Sequence, residues 1–168
     1  MIETERLILR PLTHGQLLKY IEDDHSLEAE FELLPAKKNI SESLKEALAQ
    51  TILPNVSDCD KDYLYHTLWT IISKRDHKMV GDLCFVGEPD ANGEIEIGYG
   101  TYQEFRDRGF MTEAVGRIVE WANTQPKVKS IIASTEKDNA ASFRVLEKNH
   151  FIQVGEVNDM LVWKIKLD

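Results

Sequence analysis

The segment Glu96–Ala122, EIGYGTYQEFRDRGFMTEAVGRIVEWA, changes its hydrophobic period once, and that change defines a strand, a short polar loop and a helix in the middle of the chain. Ile95, Ile97 and Tyr99 alternate with Glu96, Gly98 and Gly100, the two-residue period of a strand with one apolar face. The two glycines weaken packing on the other face unless the strand bulges there or another backbone or a ligand comes close. From Phe110 onward, Met111, Ala114, Val115, Ile118, Val119 and Ala122 make one stripe at helical spacing, while Glu113, Arg117, Glu120 and Asn123 face water. Arg106, Arg108 and Gly109 fall where the helix begins, a place that gathers unpaired N–H groups and the positive end of the helix dipole and therefore suits phosphate. Gly109 lets a ligand approach the main chain. The plainer reading is a turn glycine flanked by solvated arginines, and short glycine motifs alone do not choose between the two.

The rest of the chain narrows the choice. A length of 168 residues with 42% hydrophobic content suits one domain, which buries roughly two-thirds of its unfolded surface. The net charge of −9 argues against a nucleic-acid binder, which needs basic surface to displace counterions, and favours a cationic partner. Cys59 and Cys84 have neither metal-ligand spacing nor the density of a disulfide framework, so a reduced cytoplasm is the expected location and no metal is expected. The start, MIETERLILRP, is acidic and alternating, and no apolar run approaches the roughly 20 residues of a membrane helix; a soluble protein without membrane attachment is expected.

Leu7 and Leu9 mark a first strand that Pro11 ends, and Thr13 caps a helix through about Glu22. An acidic stretch follows, with Glu22, Asp23, Asp24, Glu28, Glu30 and Glu32 read chiefly as a solvated helix face. Ser41 opens a helix in which Leu44, Ala47, Leu48 and Ile52 share a face, and Asn55 to Asp62 reads as a polar loop. Strands are expected over Tyr63–Ser73 and Met79–Val86, joined by Arg75-Asp76-His77; the turn Pro89–Gly93 then leads into the glycine-bearing strand. After the central helix come a strand over Val128–Thr135, a helix over Ala140–Lys148, and strands over Phe151–Val157 and Met160–Leu167. This is an α+β single domain with a mixed, mostly antiparallel central sheet flanked by helices.

Taken in order, TERLILRPL, EIGY, RDRGFMTEA and NAASFRVLEKNHF resemble the GNAT superfamily of acyl-CoA-dependent N-acyltransferases, and more closely its RimJ/RimL-like branch of ribosomal-protein and related acetyltransferases. The resemblance spans nearly the whole chain and implies one N-acetyltransferase domain over residues 1–168, with a splayed central strand pair. It implies acetyl-CoA as cosubstrate, its pyrophosphate on the loop from Arg106 through Arg108, Gly109, Phe110, Met111 and Thr112, and its pantetheine on main-chain groups of Tyr99 and Thr101. The family's small residue is replaced at Met111, which narrows the loop in this reading. A downstream Asn-x-x-Ser falls on Asn139 and Ser142, where Asn139 also reads as a helix N-cap. His150 stands where a glycine is usual, and Leu146 where many relatives carry a tyrosine that protonates the leaving thiolate.

The implied reaction is attack of a neutral amine on a thioester carbonyl. An amine with a pKa of about 10 is mostly protonated at neutral pH, so a base is needed. Glu96 is the first candidate, with Glu94, Glu104 and His66 as alternatives. A backbone N–H freed by a bulge near Gly100 or Thr101 is the expected oxyanion donor, and Ser142 or a water the expected acid. The acceptor is a primary amine, cationic if the acidic stretch lines its site; a homodimer is compatible with the resemblance. A non-catalytic acyl-CoA-binding or regulatory domain is the alternative.

Overall fold

One mixed sheet of eight strands, in the order β1-β2-β3-β4-β5-β6-β8-β7, organises the protein in a computed structural model that describes residues 1–168. The strands are β1 (Ile2–Glu3), β2 (Leu7–Pro11), β3 (Leu68–Ser73), β4 (Lys78–Phe85), β5 (Glu94–Thr101), β6 (Ser130–Glu136), β7 (Ile152–Val157) and β8 (Met160–Lys166). The helices are α1 (His14–Glu22), α2 (Ser26–Glu30), α3 (Glu42–Ala47), α4 (Leu53–Val56), α5 (Phe110–Asn123) and α6 (Ala140–Lys148). Only β5 and β6 are parallel, and the connection between them carries α5, because parallel neighbours need a crossover.

Cross-strand partners share a face of the sheet. Trp69, Leu83 and Tyr99 are partners across β3, β4 and β5. Trp121 of α5 covers this face, with its ring centroid 5.4 Å from Trp69 and 5.5 Å from Phe85. Thr70, Asp82 and Gly100 are partners on the opposite face, where Tyr20 of α1 bonds Asp82. Alternation along β5 therefore sends Glu96, Gly98 and Gly100 toward the α1 side and Ile97 and Tyr99 toward the α5 side.

Four local expectations change. β3 begins at Leu68, not Tyr63: the Asp62 carboxylate accepts the Leu64 N–H at 3.0 Å, and Tyr63–Tyr65 winds into a 3₁₀ turn. The capping carboxylate outweighs the strand preference of the tyrosines. The helix opened by Ser41, whose hydroxyl accepts from Leu44 N–H at 3.1 Å, passes through a π turn at Leu48–Ile52 into α4, so Asn55 and Val56 are helical. Pro54 has no N–H for the carbonyl four residues back, and the ladder widens just before it. Ile2 and Glu3 form an additional short edge strand. Within the acidic stretch Glu28 is buried, not solvated: its carboxylate meets the buried Lys38 ammonium at 3.1 Å, and Asp23 meets the same ammonium at 3.0 Å.

Candidate active site

The parallel pairing of β5 with β6 covers only Glu94–Glu96 against Ser130–Ile132, whereas β5 stays paired to β4 from Ile97 through Thr101. The sheet thus opens between β5 and β6 beyond Glu96. Which main-chain groups face the opening follows from the β4 side. Val86 N–H donates to the Glu96 carbonyl and Tyr102 N–H to the Val80 carbonyl, both at 2.9 Å, so the even-numbered residues spend their groups on β4. Tyr99 and Thr101 direct theirs to the open side. The β5 register against β4 is continuous and contains no bulge. Divergence of β6, not a bulge at Gly100, frees the donors, and Gly100 turns its own groups toward β4.

The open edge leads to the start of α5. Main-chain N–H groups from Asp107 through Thr112 donate to no protein acceptor, and the first helical bond is Glu113 N–H to the Gly109 carbonyl at 3.2 Å. Gly109 has φ +74°, the left-handed conformation that favours glycine, and a Cβ there would meet only the Arg6 guanidinium, 3.6 Å away. Met111 does not narrow the loop. Its side chain is buried and its Cε lies 3.3 Å from where a Gly81 Cβ would stand, so the residue belongs to the core stripe and leaves its N–H outward. Arg106 is exposed and free of ion pairs, while Arg108 stacks over Phe105 and approaches Asp76 at 3.9 Å. Arg6 fastens the loop: its guanidinium donates to the Arg108 carbonyl at 3.1 Å, pairs with Glu113 at 2.6 Å and lies over the Phe110 ring. That pairing, with the Thr4 hydroxyl, holds the Glu113 carboxyl below its ordinary range against the opposing effect of partial burial.

Polar side chains flank the opening on both faces. On the α1 side, half-buried Glu96 accepts the Ser134 hydroxyl at 2.9 Å. Two of the alternatives are engaged elsewhere, Glu94 by Lys164 and Ser130 and Glu104 by Lys78 at 3.6 Å, while the His66 Nε2 lies 3.5 Å from Glu88 and is buried without a hydrogen-bond partner. On the α5 side, α6 leans on β8 through Phe143 and Trp163, and its first turn faces β5. Asn139 caps α6, accepting the Ser142 N–H at 3.1 Å, and half-buried Ser142 has a hydroxyl without a protein partner. The Tyr99 hydroxyl donates to the Ser142 carbonyl at 3.4 Å. Burial pushes the Tyr99 phenol up to about 12 and the Cys84 thiol up to about 11, so both stay protonated at neutral pH. A cavity bounded by His14, Asp58 and Tyr63 lies beside the start of α1 and away from these groups.

Residues 6–152 match the family of acetyltransferase (GNAT) domains. The chain belongs to the GNAT family. It is 40% identical over 84 residues to "Uncharacterized N-acetyltransferase YjdG" of Bacillus subtilis (strain 168), a match covering 50% of each chain. The chain spans about half the length of the curated relatives it matches. The fold is that of RimL, the ribosomal L7/L12 alpha-N-protein acetyltransferase in complex with coenzyme A, with TM-score 0.67, 17% identity, and coverage of 98% of this chain and 96% of that one. It is equally that of the ribosomal-protein-S5-alanine acetyltransferase from Vibrio fischeri, with TM-score 0.68, 17% identity, and coverage of 99% and 96%. The α+β single-sheet expectation and the membership of the GNAT superfamily therefore hold.

In this GNAT chain Tyr99 and Thr101 lie on the stretch of β5 that β6 leaves unpaired, Gly109–Thr112 open α5 with unpaired N–H groups, and the Tyr99 hydroxyl reaches Ser142 in the turn that Asn139 caps. Arg108 is partly drawn off to Asp76. Two positioning residues escaped the sequence reading. Arg6 directly precedes β2, and its partner Glu113 is 107 residues away. Asn149 donates to the Thr112 and Val145 carbonyls at 3.0 and 2.9 Å and so ties the first turn of α5 to α6; it fits because Gly116 lacks a Cβ, which would stand 2.8 Å from the Asn149 amide oxygen.

Proposed function

We propose that the protein is an acetyl-CoA-dependent N-acetyltransferase that acetylates a primary amine, either a protein N-terminus or a small molecule, by direct attack within a ternary complex. One observation carries this reading: the unpaired main-chain edge of Tyr99 and Thr101 runs on into the unpaired N–H groups of residues 107–112. Such a track suits an extended cofactor whose polar chain pairs like a strand and whose pyrophosphate ends on a helix N-terminus. The coenzyme A bound to RimL supports it. Arg106 and Arg108 add local positive charge, and Asn139 and Ser142 border the cofactor's reactive end. Cys84 is held as a thiol and Cys59 lies in the loop beyond α4, which favours direct transfer over an acyl-cysteine intermediate. Glu96 takes the amine proton through the α1 face, and Tyr99 or Thr101 N–H receives the oxyanion. Because the thioester is already activated, holding both reactants in place supplies much of the acceleration. Exposed Glu22, Asp24 and Glu32 near that face favour a cationic acceptor.

The test begins with binding. Acetyl-CoA at a hundredfold excess over Kd should add about 2.7 kcal/mol of stability, raising Tm by roughly 5–10 °C for a chain of this size. No shift at millimolar acetyl-CoA would sink the proposal. A shift without thiol release across a panel of primary amines, including peptides with free N-termini, would favour a non-catalytic acyl-CoA-binding domain instead.

A further inference from the structure

We propose that the side-chain hydroxyl of Tyr99 is the hydrogen-bond donor that stabilises the coenzyme A thiolate as it leaves. The inference rests on the acetyltransferase reading above and places on β5 a donor that the sequence assigns to Ser142 or a water. Tyr99 is placed twice over. Its main chain faces the opening beyond Glu96, where the pantetheine arm is proposed to lie, and its side chain crosses the α5 face to the first turn of α6. The hydroxyl is held there only loosely. Its bond to the Ser142 carbonyl is 3.4 Å long, against about 2.7–2.8 Å for a well-formed O–H···O bond, so the proton can turn to a better acceptor at little cost. The one other hydroxyl beside it is that of Ser142. Leu146, one turn beyond Ser142, is apolar and fully buried, Phe143 packs on Trp163, and Glu96 lies on the opposite face.

Burial decides which role the phenol plays. With its pKa pushed up to about 12, it remains protonated through the neutral and mildly alkaline range. A thiol of ordinary pKa near 8.5 is the stronger acid, so complete proton transfer from the phenol to the thiolate runs uphill. The hydroxyl therefore donates without surrendering its proton. In the step itself the amine nitrogen forms a bond to the thioester carbon, the C–S bond breaks, and its electron pair stays on sulfur as a thiolate bonded to the Tyr99 hydroxyl. The nitrogen proton leaves through Glu96 or water, and the thiolate takes a proton from water when coenzyme A departs.

The experiment needs no acceptor. Affinities of coenzyme A and desulfo-coenzyme A are measured by titration calorimetry above the pH at which the thiol ionises, for the parent and for Tyr99→Phe. The expected result is a loss of about tenfold for coenzyme A, the worth of one hydrogen bond to a charged group, and no loss for desulfo-coenzyme A. Equal losses for both ligands would mean that Tyr99 only shapes the opening, and no loss for either would mean that it does not reach the sulfur; each overturns the proposal while leaving cofactor binding intact. A sulfur-dependent loss confined to Ser142→Ala overturns it too. If the parent binds neither ligand, the acetyltransferase reading itself fails. Should Tyr99→Phe not fold, the thiolate absorbance of coenzyme A bound to the parent decides: its thiol should titrate about one unit below the free value, and an unshifted thiol overturns the proposal.

Discussion

Glu96 sits on the one stretch of β5 where strand pairing ends, with the Ser134 hydroxyl on one of its oxygens and the open α1 face beside it. Its carboxylate rivals Glu94 and Glu104 are tied into ion pairs. If Glu96 removes the amine proton, Glu96→Gln should lower kcat mainly near neutral pH, and the deficit should shrink as the pH approaches the acceptor's own pKa of about 10. A pH–rate series with the best acceptor checks this; a pH-independent loss with a large rise in acceptor KM would assign Glu96 to amine binding. Single residues were legible in the sequence where one local force acted on them. Gly109 was expected to need unusual backbone freedom, and its φ is +74°. Met111 carried two opposed signals, a break in a ligand-loop pattern and a place on the apolar stripe with Ala114 and Val115, and burial prevailed. Arg6 carried no local signal, since its role depends on a helix over a hundred residues away.

Elements were legible at ends marked by a capping side chain. Thr13 and Gln16 form a reciprocal capping box at the start of α1, and Asn139 does the same work alone at the start of α6. β3 begins later than the tyrosines around it suggest because Asp62, at the end of a polar loop, is itself such a cap. The far end of α6 shows a cap made with an unfavourable residue. Phe151 N–H donates to the Leu146 carbonyl at 3.0 Å and His150 N–H to the Glu147 carbonyl at 3.0 Å, a C-terminal motif whose turn residue adopts left-handed backbone. That residue is His150, exposed, with φ +64°. His150→Gly should therefore stabilise the protein by about 0.5–1 kcal/mol, the relief of the strained φ exceeding the added freedom of the unfolded chain. Urea unfolding with an unchanged slope measures it. A loss of stability would show that the imidazole makes a contribution larger than the strain.

At the scale of the whole molecule, the parallel β5–β6 pair was readable from the strand–helix–strand order, but the depth of their pairing was not, because it depends on where β8 and α6 pull β6. The polar centre under the sheet was equally hidden. Asp82, Thr70, Tyr20 and Tyr102 come from β4, β3, α1 and the loop after β5, and both tyrosine hydroxyls donate to one Asp82 oxygen at 2.7 Å. The other Asp82 oxygen and the Thr70 hydroxyl are buried without a hydrogen-bond partner. Burial pushes the Asp82 carboxyl up to about 6 in spite of the hydroxyls that favour its charged form. A folded-state pKa above the unfolded value of 3.8 means that the native chain holds a proton which the unfolded chain has already lost. The contribution of this site is therefore complete below about pH 4 and is lost as the pH rises through about 6, a swing of roughly 2–3 kcal/mol at about 1.4 kcal/mol per unit. Asn in place of Asp82 keeps an acceptor for the two tyrosines, offers its N–H to Thr70 and cannot ionise. Asp82→Asn should thus match the parent near pH 4 and exceed it by roughly 2–3 kcal/mol above about pH 7. Surface carboxylates such as Asp90 and Glu113, whose pKa values are lowered, slope the opposite way in both proteins and cancel in the difference. Urea unfolding at the two pH values gives that difference; one that stays constant across the range would trace the effect to hydrogen bonding, with the buried charge playing no part.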